Sequence, residues 1–130
     1  MNKEKKFTEM HNEYVAEWDH AMKTGDTSAL EKRMPPDYYV TFFSGDAAKP
    51  ETFDRAEAVE GMRQSVQDIL GAEKMFDNRI IQMRNAENAV VFFEQVIKKD
   101  EQELSRLFTI ENWRYRDGEW ELGREVEEHI

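Results

Sequence analysis

The fold is decided at residues 104–128, which read LSRLFTIENWRYRDGEWELGREVEE. Two segments rich in β-branched and aromatic residues flank Asp117-Gly118, a dipeptide that favours the two-residue turn of a β-hairpin. We therefore predict one strand at Leu104–Arg116 and a second at Glu119–Glu128. A two-residue turn also fixes the register, because the strands then pair residue by residue outward from the turn.

The predicted register assigns each side chain of the hairpin to one of two faces, since directly opposed residues of an antiparallel pair project to the same side. One face is apolar near the turn, and we expect it to pack on helices. It carries Leu107, Thr109, Glu111, Trp113 and Tyr115 opposite Glu128, Val126, Arg124, Leu122 and Trp120. Glu111 and Arg124 thus form an opposed charge pair among apolar side chains. Glu111 is our candidate catalytic residue, and a structural ion pair with Arg124 is the alternative.

The other face of the predicted sheet is too apolar to be left in water. It includes Phe108 and Ile110, and the preceding predicted strand begins at residues 89–93 with the apolar run AVVFF. An antiparallel sheet that is apolar on both sides is covered on both sides. We therefore predict a homodimer in which a second copy covers this convex face.

Hydrophobic spacing predicts three helices upstream of the hairpin. The first has an apolar stripe at steps of three and four residues and ends at Gly25. Its stripe consists of Phe7, Met10, Tyr14, Trp18, Ala21 and Met22. A short second helix covers residues 28–33. The third begins after a capping box of Asp54 and Glu57 and ends at Gly71.

Three further strands are predicted, at residues 37–43, 74–84 and 89–98, with a loop at residues 44–52. Helices followed by a run of strands indicate an α+β fold, in which helices cover one side of a sheet. No linker, repeat or low-complexity segment interrupts residues 1–130, so we expect one domain.

Composition excludes several classes of function. With 28 acidic and 18 basic residues the formal net charge is −10, a sign that disfavours nucleic acid and anionic membranes as partners. The absence of cysteine excludes disulfides and thiolate chemistry. Glu17 and His20 have the spacing of one half of a di-iron carboxylate site on a helix, but no second copy occurs, so we expect no metal and no cofactor. We find no signal peptide and no apolar run long enough to span a bilayer, and we expect a cytoplasmic protein.

Several segments together resemble the nuclear transport factor two-like superfamily, which includes SnoaL-like polyketide cyclases and ketosteroid isomerases. They are Trp18 to Gly25-Asp26, the strand ending at Ser44-Gly45, the helix from Asp54, and residues 111–120, ENWRYRDGEW. The resemblance covers essentially the whole chain. It implies a cone-shaped, curved antiparallel sheet wrapped around a long N-terminal helix, often with a ligand pocket inside and often in a homodimer. Functions within the superfamily vary, so the fold alone implies no activity.

The ketosteroid isomerase site does not carry over to this sequence. Counted from Gly25, the isomerase's tyrosine donor falls on Trp18, its aspartate base on Phe42 and its second acid on Glu111. That reaction needs a carboxylate base and a neutral acid donor. Here the base is absent, and the predicted arginine neighbour would keep the remaining acid ionised. We therefore reject isomerase activity.

Two functions remain open after this comparison. The first is a small-molecule pocket, for binding or for acid/base catalysis, in which Glu111 is the base and Arg124 holds an anionic or carbonyl oxygen. The expected lining residues are Tyr14, Trp18, Met22, Phe42, Trp113 and Leu122, together with Arg124. The second is a non-enzymatic homodimeric module, in which the same aromatic side chains fill the core.

Overall fold

A computed structural model describes residues 2–43 and 49–130 of the chain. Its helices are α1 (Lys3–Thr24), α2 (Ser28–Lys32) and α3 (Arg55–Asp68). Its strands are β1 (Tyr39–Phe43), β2 (Glu51–Asp54), β3 (Glu73–Asn85), β4 (Asn88–Lys99), β5 (Gln102–Arg116) and β6 (Glu119–His129). The strands form one six-stranded sheet in the order β2-β1-β6-β5-β4-β3. The predicted α+β cone, with three helices and a sheet around a long N-terminal helix, is confirmed.

The sheet is mixed, whereas the sequence predicted an antiparallel one. Four of the five neighbouring pairs are antiparallel, and β1 lies parallel to β6, with Tyr39 beside Arg124. The antiparallel pairs β3–β4, β4–β5 and β5–β6 are joined by short turns, which force the chain to reverse. No short turn joins β1 to β6, so their relative direction is free of that constraint.

Helix α1 lies against the concave face of the sheet. Asn2 caps it by accepting a hydrogen bond from the backbone of Lys5, and Gly25 ends it with a left-handed φ of 85°. Its buried side is formed by Phe7, His11, Tyr14, Ala21 and Met22. The apolar stripe was predicted, but His11 was not part of it. Neither α1 nor any other helix in the described ranges has the length and apolar content needed to cross a bilayer.

The prediction of a loop at residues 44–52 is wrong at its C-terminal end, where a strand begins. Residues 44–48, which include the Ser44-Gly45 pair used in the family resemblance, lie outside the described residues. Glu51–Asp54 forms β2 and pairs with β1, where Thr41 and Thr52 place their hydroxyl oxygens 3.1 Å apart. The β-branched Thr52 suits this edge strand. Asp54 then forms the predicted capping box with Glu57 at the start of α3.

A β-bulge in β6 changes the predicted register of the hairpin. Near the turn the prediction holds, since Trp113 faces Leu122. The next pair joins Asn112 to Arg124, so Gly123 is an extra residue on β6 with no residue opposite it. Every side chain of β6 beyond Gly123 therefore lies on the face opposite to the predicted one.

The predicted opposition of Glu111 and Arg124 is wrong for this reason. Glu111 faces Glu125, and Thr109 faces Glu127. Glu125 and Glu127 therefore lie on the concave face, toward α1, although the sequence placed them on the convex one. Arg124 lies on the convex face, where its guanidinium carbon is 5.5 Å from the centre of the Tyr39 ring.

Candidate functional site

A cavity of about 400 Å³ lies between the concave face of the sheet and the helices. Most of its lining is apolar, with Leu30, Met34, Val40, Phe53, Met62, Val66, Ile69, Ile97 and Leu107 among the lining residues. Gly61, Ser65 and His129 also line it and are themselves exposed, so the cavity opens to solvent. Its volume falls within the range of small-molecule sites in proteins.

The structure brings most of the predicted pocket residues to this cavity. Its lining includes Tyr14, Trp18, Met22, Phe42 and Leu122. Trp113 does not line it, because its ring is buried under Tyr14, with ring centres 4.9 Å apart. Glu111 is also absent from the lining, and Arg124 lies on the other side of the sheet.

Glu111 belongs to a closed hydrogen-bond cluster that lies outside the cavity. Its Oε1 atom is 2.7 Å from His11 Nε2 and accepts a hydrogen bond of 2.9 Å from Trp113 Nε1. His11 and Glu111 are 0% and 1% exposed. Among the described residues, no hydrogen-bond partner reaches the buried Glu111 Oε2. The partner of Glu111 is thus a histidine of α1 and not the predicted Arg124.

The hydrogen bonds around His11 define its tautomer. Arg79 Nη1 lies 3.0 Å from His11 Nδ1. A guanidinium has no acceptor atom, so Nδ1 must be the acceptor and carries no proton. The ring proton is therefore on Nε2, which donates to Glu111. Arg79, His11 and Glu111 form a relay of hydrogen bonds that ties β3 to α1 and α1 to β5.

The cavity has its own carboxyl group, Glu125. Tyr38 Oη donates a hydrogen bond of 2.7 Å to Glu125 Oε1, and both residues line the cavity. Burial, followed by repulsion from Glu127 and Glu111, raises the pKa of Glu125 to about 8. Burial also raises the pKa of the Tyr38 phenol, so Tyr38 remains the donor. At neutral pH the carboxyl of Glu125 is mainly protonated and has an O–H to offer to a ligand.

The cavity also contains an amine. Lys74 extends from β3 into the lining, and its Nζ lies 3.4 Å from the centre of the Trp18 ring. Burial lowers the pKa of Lys74, against the opposing effect of Glu125 and Glu127. Burial likewise raises the pKa of Glu127. An acid, a phenol and an amine therefore share one largely apolar chamber.

The sequence analysis missed Tyr38, Lys74, Glu125 and Glu127 as site residues. One signal for the two glutamates was present, because an isolated glycine within a predicted strand is typical of a β-bulge. Gly123 is such a residue, and a bulge there exchanges the faces of everything that follows. Tyr38 and Lys74 carried no comparable signal, since each lies at or next to the first residue of a predicted strand.

The polar groups of the described residues do not form a metal site. No three His, Asp or Glu side chains within residues 2–43 and 49–130 are arranged to hold an ion. Glu17, considered above with His20, instead accepts two hydrogen bonds from Arg33, at 2.7 and 2.8 Å. The cavity groups suit an organic molecule with a polar end and an apolar body.

Comparison with known proteins identifies the architecture. No family model matches the sequence, and no curated protein matches it either. The backbone matches an NTF2-like protein from Shewanella oneidensis with a TM-score of 0.71 at 16% identity, over 93% of this chain and 98% of that one. This is the nuclear transport factor 2-like fold. The predicted resemblance is confirmed at that level.

Other structures with this NTF2-like fold match as well. A protein from Silicibacter pomeroyi superposes with a TM-score of 0.70 at 13% identity, over 100% of both chains. A CamKII hub homology domain from Chlamydomonas reinhardtii gives 0.66 at 12% identity, over 95% of this chain and 96% of that one. At these identities the matches show a shared NTF2-like fold alone, so function must be argued from the side chains of this chain.

Proposed function

We propose that this protein binds a small, mainly apolar organic molecule inside the NTF2-like cone and offers it a proton-transfer group. The observation that carries the proposal is the placement of the carboxyl of Glu125, whose pKa is raised by burial, in an open cavity whose lining is otherwise mostly apolar. Burying polar groups next to empty apolar space costs stability unless they are hydrogen-bonded. Within residues 2–43 and 49–130, Tyr38 is the one hydrogen-bonded neighbour of Glu125, which leaves the rest of the carboxyl for a ligand.

Acid or base chemistry belongs at Glu125 and not at Glu111. A catalytic acid or base must come within hydrogen-bond reach of the substrate. Glu111 is enclosed by His11 and Trp113 outside the cavity, whereas Glu125 lines it. A pKa of about 8 also allows Glu125 to exchange a proton near neutral pH, which is the property expected of a general acid or base.

A melting-temperature screen against neutral organic compounds tests this proposal. A ligand present at one hundred times its Kd stabilises the folded protein by about 2.7 kcal/mol, which gives a clear rise in Tm. Gly61→Leu is the informative variant, because a Cβ at this lining position meets no atom within 4 Å and the larger side chain would enter the cavity. The rise in Tm should disappear in this variant.

The matched control is Ala56→Leu, an exposed position on the same helix that does not line the cavity. It should keep the full ligand-induced rise in Tm. Glu125→Gln still offers an N–H donor but cannot release a proton, so it should keep ligand binding and lose proton transfer to the ligand. If ligands stabilise Gly61→Leu as much as the parent protein, they bind elsewhere and the proposal fails.

We also propose that a second copy of the chain covers the convex face. Three adjacent rows of side chains run across the middle of this face, as the strand registers show. The central row, Phe92, Ile110 and Val126, is apolar throughout. One flanking row contains Arg124, and the other contains Glu94 and Glu128 around Phe108, which stacks on Phe92 with ring centres 6.5 Å apart.

The charge pattern supports a two-fold contact between such copies. If the two-fold axis runs parallel to the central row, that row packs on itself and Arg124 of each copy meets Glu128 of the other, whereas Glu94 is already paired with Arg106 at 2.6 Å. A two-fold axis parallel to the strands would instead place the arginine row of one copy opposite the arginine row of the other. The pattern therefore favours a homodimer with the first geometry.

Light scattering at micromolar concentration tests the dimer. Ile110→Asp should yield a monomer, because it places a charge in the centre of an apolar contact. Arg124→Glu should weaken the dimer, and the double variant Arg124→Glu with Glu128→Arg should restore it. A monomeric parent protein would contradict the dimer while leaving the cavity proposal intact.

A further inference from the structure

The amine of Lys74 occupies an unusual position for a lysine. Its Nζ lies over the indole of Trp18, 3.4 Å from the ring centre, and 5.2 Å from the centre of the Phe76 ring. Across the described residues, no carboxylate oxygen lies within the 4.0 Å that defines an ion pair with this nitrogen. Other lysines differ, as with Lys23, whose exposed amine pairs with Asp19 at 2.9 Å. Lys74 is held by aromatic rings beside an open cavity.

The same indole offers a donor to a ligand. Within the described ranges, the buried Trp18 Nε1 has no hydrogen-bond partner. A buried N–H without a partner costs roughly 1–3 kcal/mol, so an acceptor atom in the cavity would be favoured there. A ligand oxygen that accepts a hydrogen bond at the edge of the Trp18 ring would therefore be stabilised, and it would lie close to the Lys74 amine.

The charges around the cavity limit which oxygen-bearing ligand can fit. Glu125 and Glu127 line the same chamber as Lys74. An anionic ligand would be repelled whenever either carboxyl is ionised. A neutral carbonyl compound avoids this repulsion and still provides an acceptor for Trp18 Nε1 or for the protonated Glu125.

We propose that Lys74 forms a Schiff base with an aldehyde or ketone bound in the cavity. This inference rests on the proposed function of the same cavity and names its ligand class. A desolvated lysine beside an apolar pocket is a form in which amine nucleophiles are activated in proteins. The direction in which burial shifts the pKa of Lys74 agrees with this role, because it enlarges the unprotonated fraction.

The covalent step balances with the groups present. The Nζ lone pair attacks the carbonyl carbon, a C–N bond forms, and the oxygen takes up a proton from Glu125. The ionised Glu125 takes a proton from the nitrogen and returns it to the carbinolamine hydroxyl, which leaves as water as the C–O bond breaks and the nitrogen lone pair forms the C=N bond. The remaining N–H proton passes back to Glu125, which ends the step protonated as it began. No oxidant or reductant is needed to reach the imine.

Reductive trapping on the intact protein tests the proposal. Hydrocinnamaldehyde has an apolar body that suits the cavity, and sodium cyanoborohydride fixes any imine as a secondary amine. We expect Lys74 to be modified at pH 7 about tenfold faster than the exposed Lys32, as measured by peptide mapping, because a desolvated lysine beside an apolar pocket is an activated nucleophile. Lys74→Arg keeps the positive charge, cannot form the imine, and should lose this fast labelling.

Hydrocinnamyl alcohol separates this inference from the pocket proposal, because it has the same body without a carbonyl. If the alcohol raises Tm and slows trapping at Lys74, both proposals are supported. If the alcohol raises Tm while Lys74 reacts no faster than Lys32, the Schiff base is overturned and the pocket stands. If it neither raises Tm nor slows trapping, and Lys74 reacts like Lys32, both are overturned. The comparison of two lysines in the parent protein needs no variant to fold.

Discussion

Glu111 and Glu125 face each other across β5 and β6, on the same side of the sheet, yet they lie in different chemical environments. Glu111 is sealed between α1 and the sheet, where His11 and Trp113 donate to one of its oxygens. Glu125 lines an open cavity and receives a hydrogen bond from Tyr38. The face of the strand on which a carboxyl lies thus decides whether it points into the cone. The hydrogen-bond donors around the carboxyl then decide whether it stabilises the fold or can bind a ligand.

The largest expected effect concerns the sealed carboxyl. Glu111→Ala leaves the N–H groups of His11 and Trp113 buried without an acceptor, and two such groups together cost about 4 kcal/mol. Glu125→Ala should cost about 1 kcal/mol, because the cavity next to it admits water. Urea denaturation of both variants measures the difference. Equal losses would show that the two carboxyls do not differ as described.

A second test uses the pH dependence of stability to measure the contribution of Glu125. Its pKa is about 8 in the folded protein and about 4.5 as an ordinary glutamate, so the folded state holds the proton more tightly. The stability from this proton is complete below pH 4.5 and is lost as pH rises toward 8. The unfolding free energy should therefore fall with pH in the parent protein more than in Glu125→Gln. Parallel curves for the two proteins would contradict the assignment.

Tyr38→Phe should have a smaller effect, about 1 kcal/mol, since it removes one hydrogen bond to Glu125. Because this bond lowers the pKa of Glu125, its loss should also move the pH dependence to higher pH. The exposed Tyr39 provides the control, and Tyr39→Phe should change neither stability nor pH dependence. An unshifted pH profile in Tyr38→Phe would mean that the phenol does not act on Glu125.

The smallest expected effect is at the bulge that separates the two environments. A Cβ at Gly123 would meet its nearest atoms at 3.8 Å, an ordinary contact, so Gly123→Ala should change stability by less than about 1 kcal/mol. Gly25→Ala should lose more, because φ is +85° and the new Cβ would lie 2.7 Å from Gln67 Nε2. A large loss in Gly123→Ala alone would show that the bulge depends on glycine.

Local sequence signals were enough to predict most of the helices and strands, although not β2, and the faces of the hairpin near its turn. The apolar stripe of α1, the Asp54 capping box and the Asp117-Gly118 turn all act over a few residues, and all are present in the structure. The pairing of Trp113 with Leu122 followed from the turn alone. These features could be predicted because each depends on neighbours in the sequence.

The candidate site was harder to predict, because it depends on distant residues. A single extra residue, Gly123, exchanged the faces of β6 and moved Glu125 and Glu127 into the cone. His11 lies 100 positions from Glu111, and no local pattern joins a lone histidine of a helix to a particular strand. The parallel pairing of β1 with β6 likewise could not be predicted, because no short turn joins these two strands.

The central place of β6 in the sheet bears on how the chain folds. In the part of the chain that the structure describes, β1 and β2 join the other strands through β6 alone, and β6 follows all of them along the chain. Contacts such as Tyr39 with Arg124 close long loops, and proteins rich in such contacts fold slowly. During synthesis, the β1–β2 hairpin and the helices must wait for β6 to leave the ribosome before the cone can close.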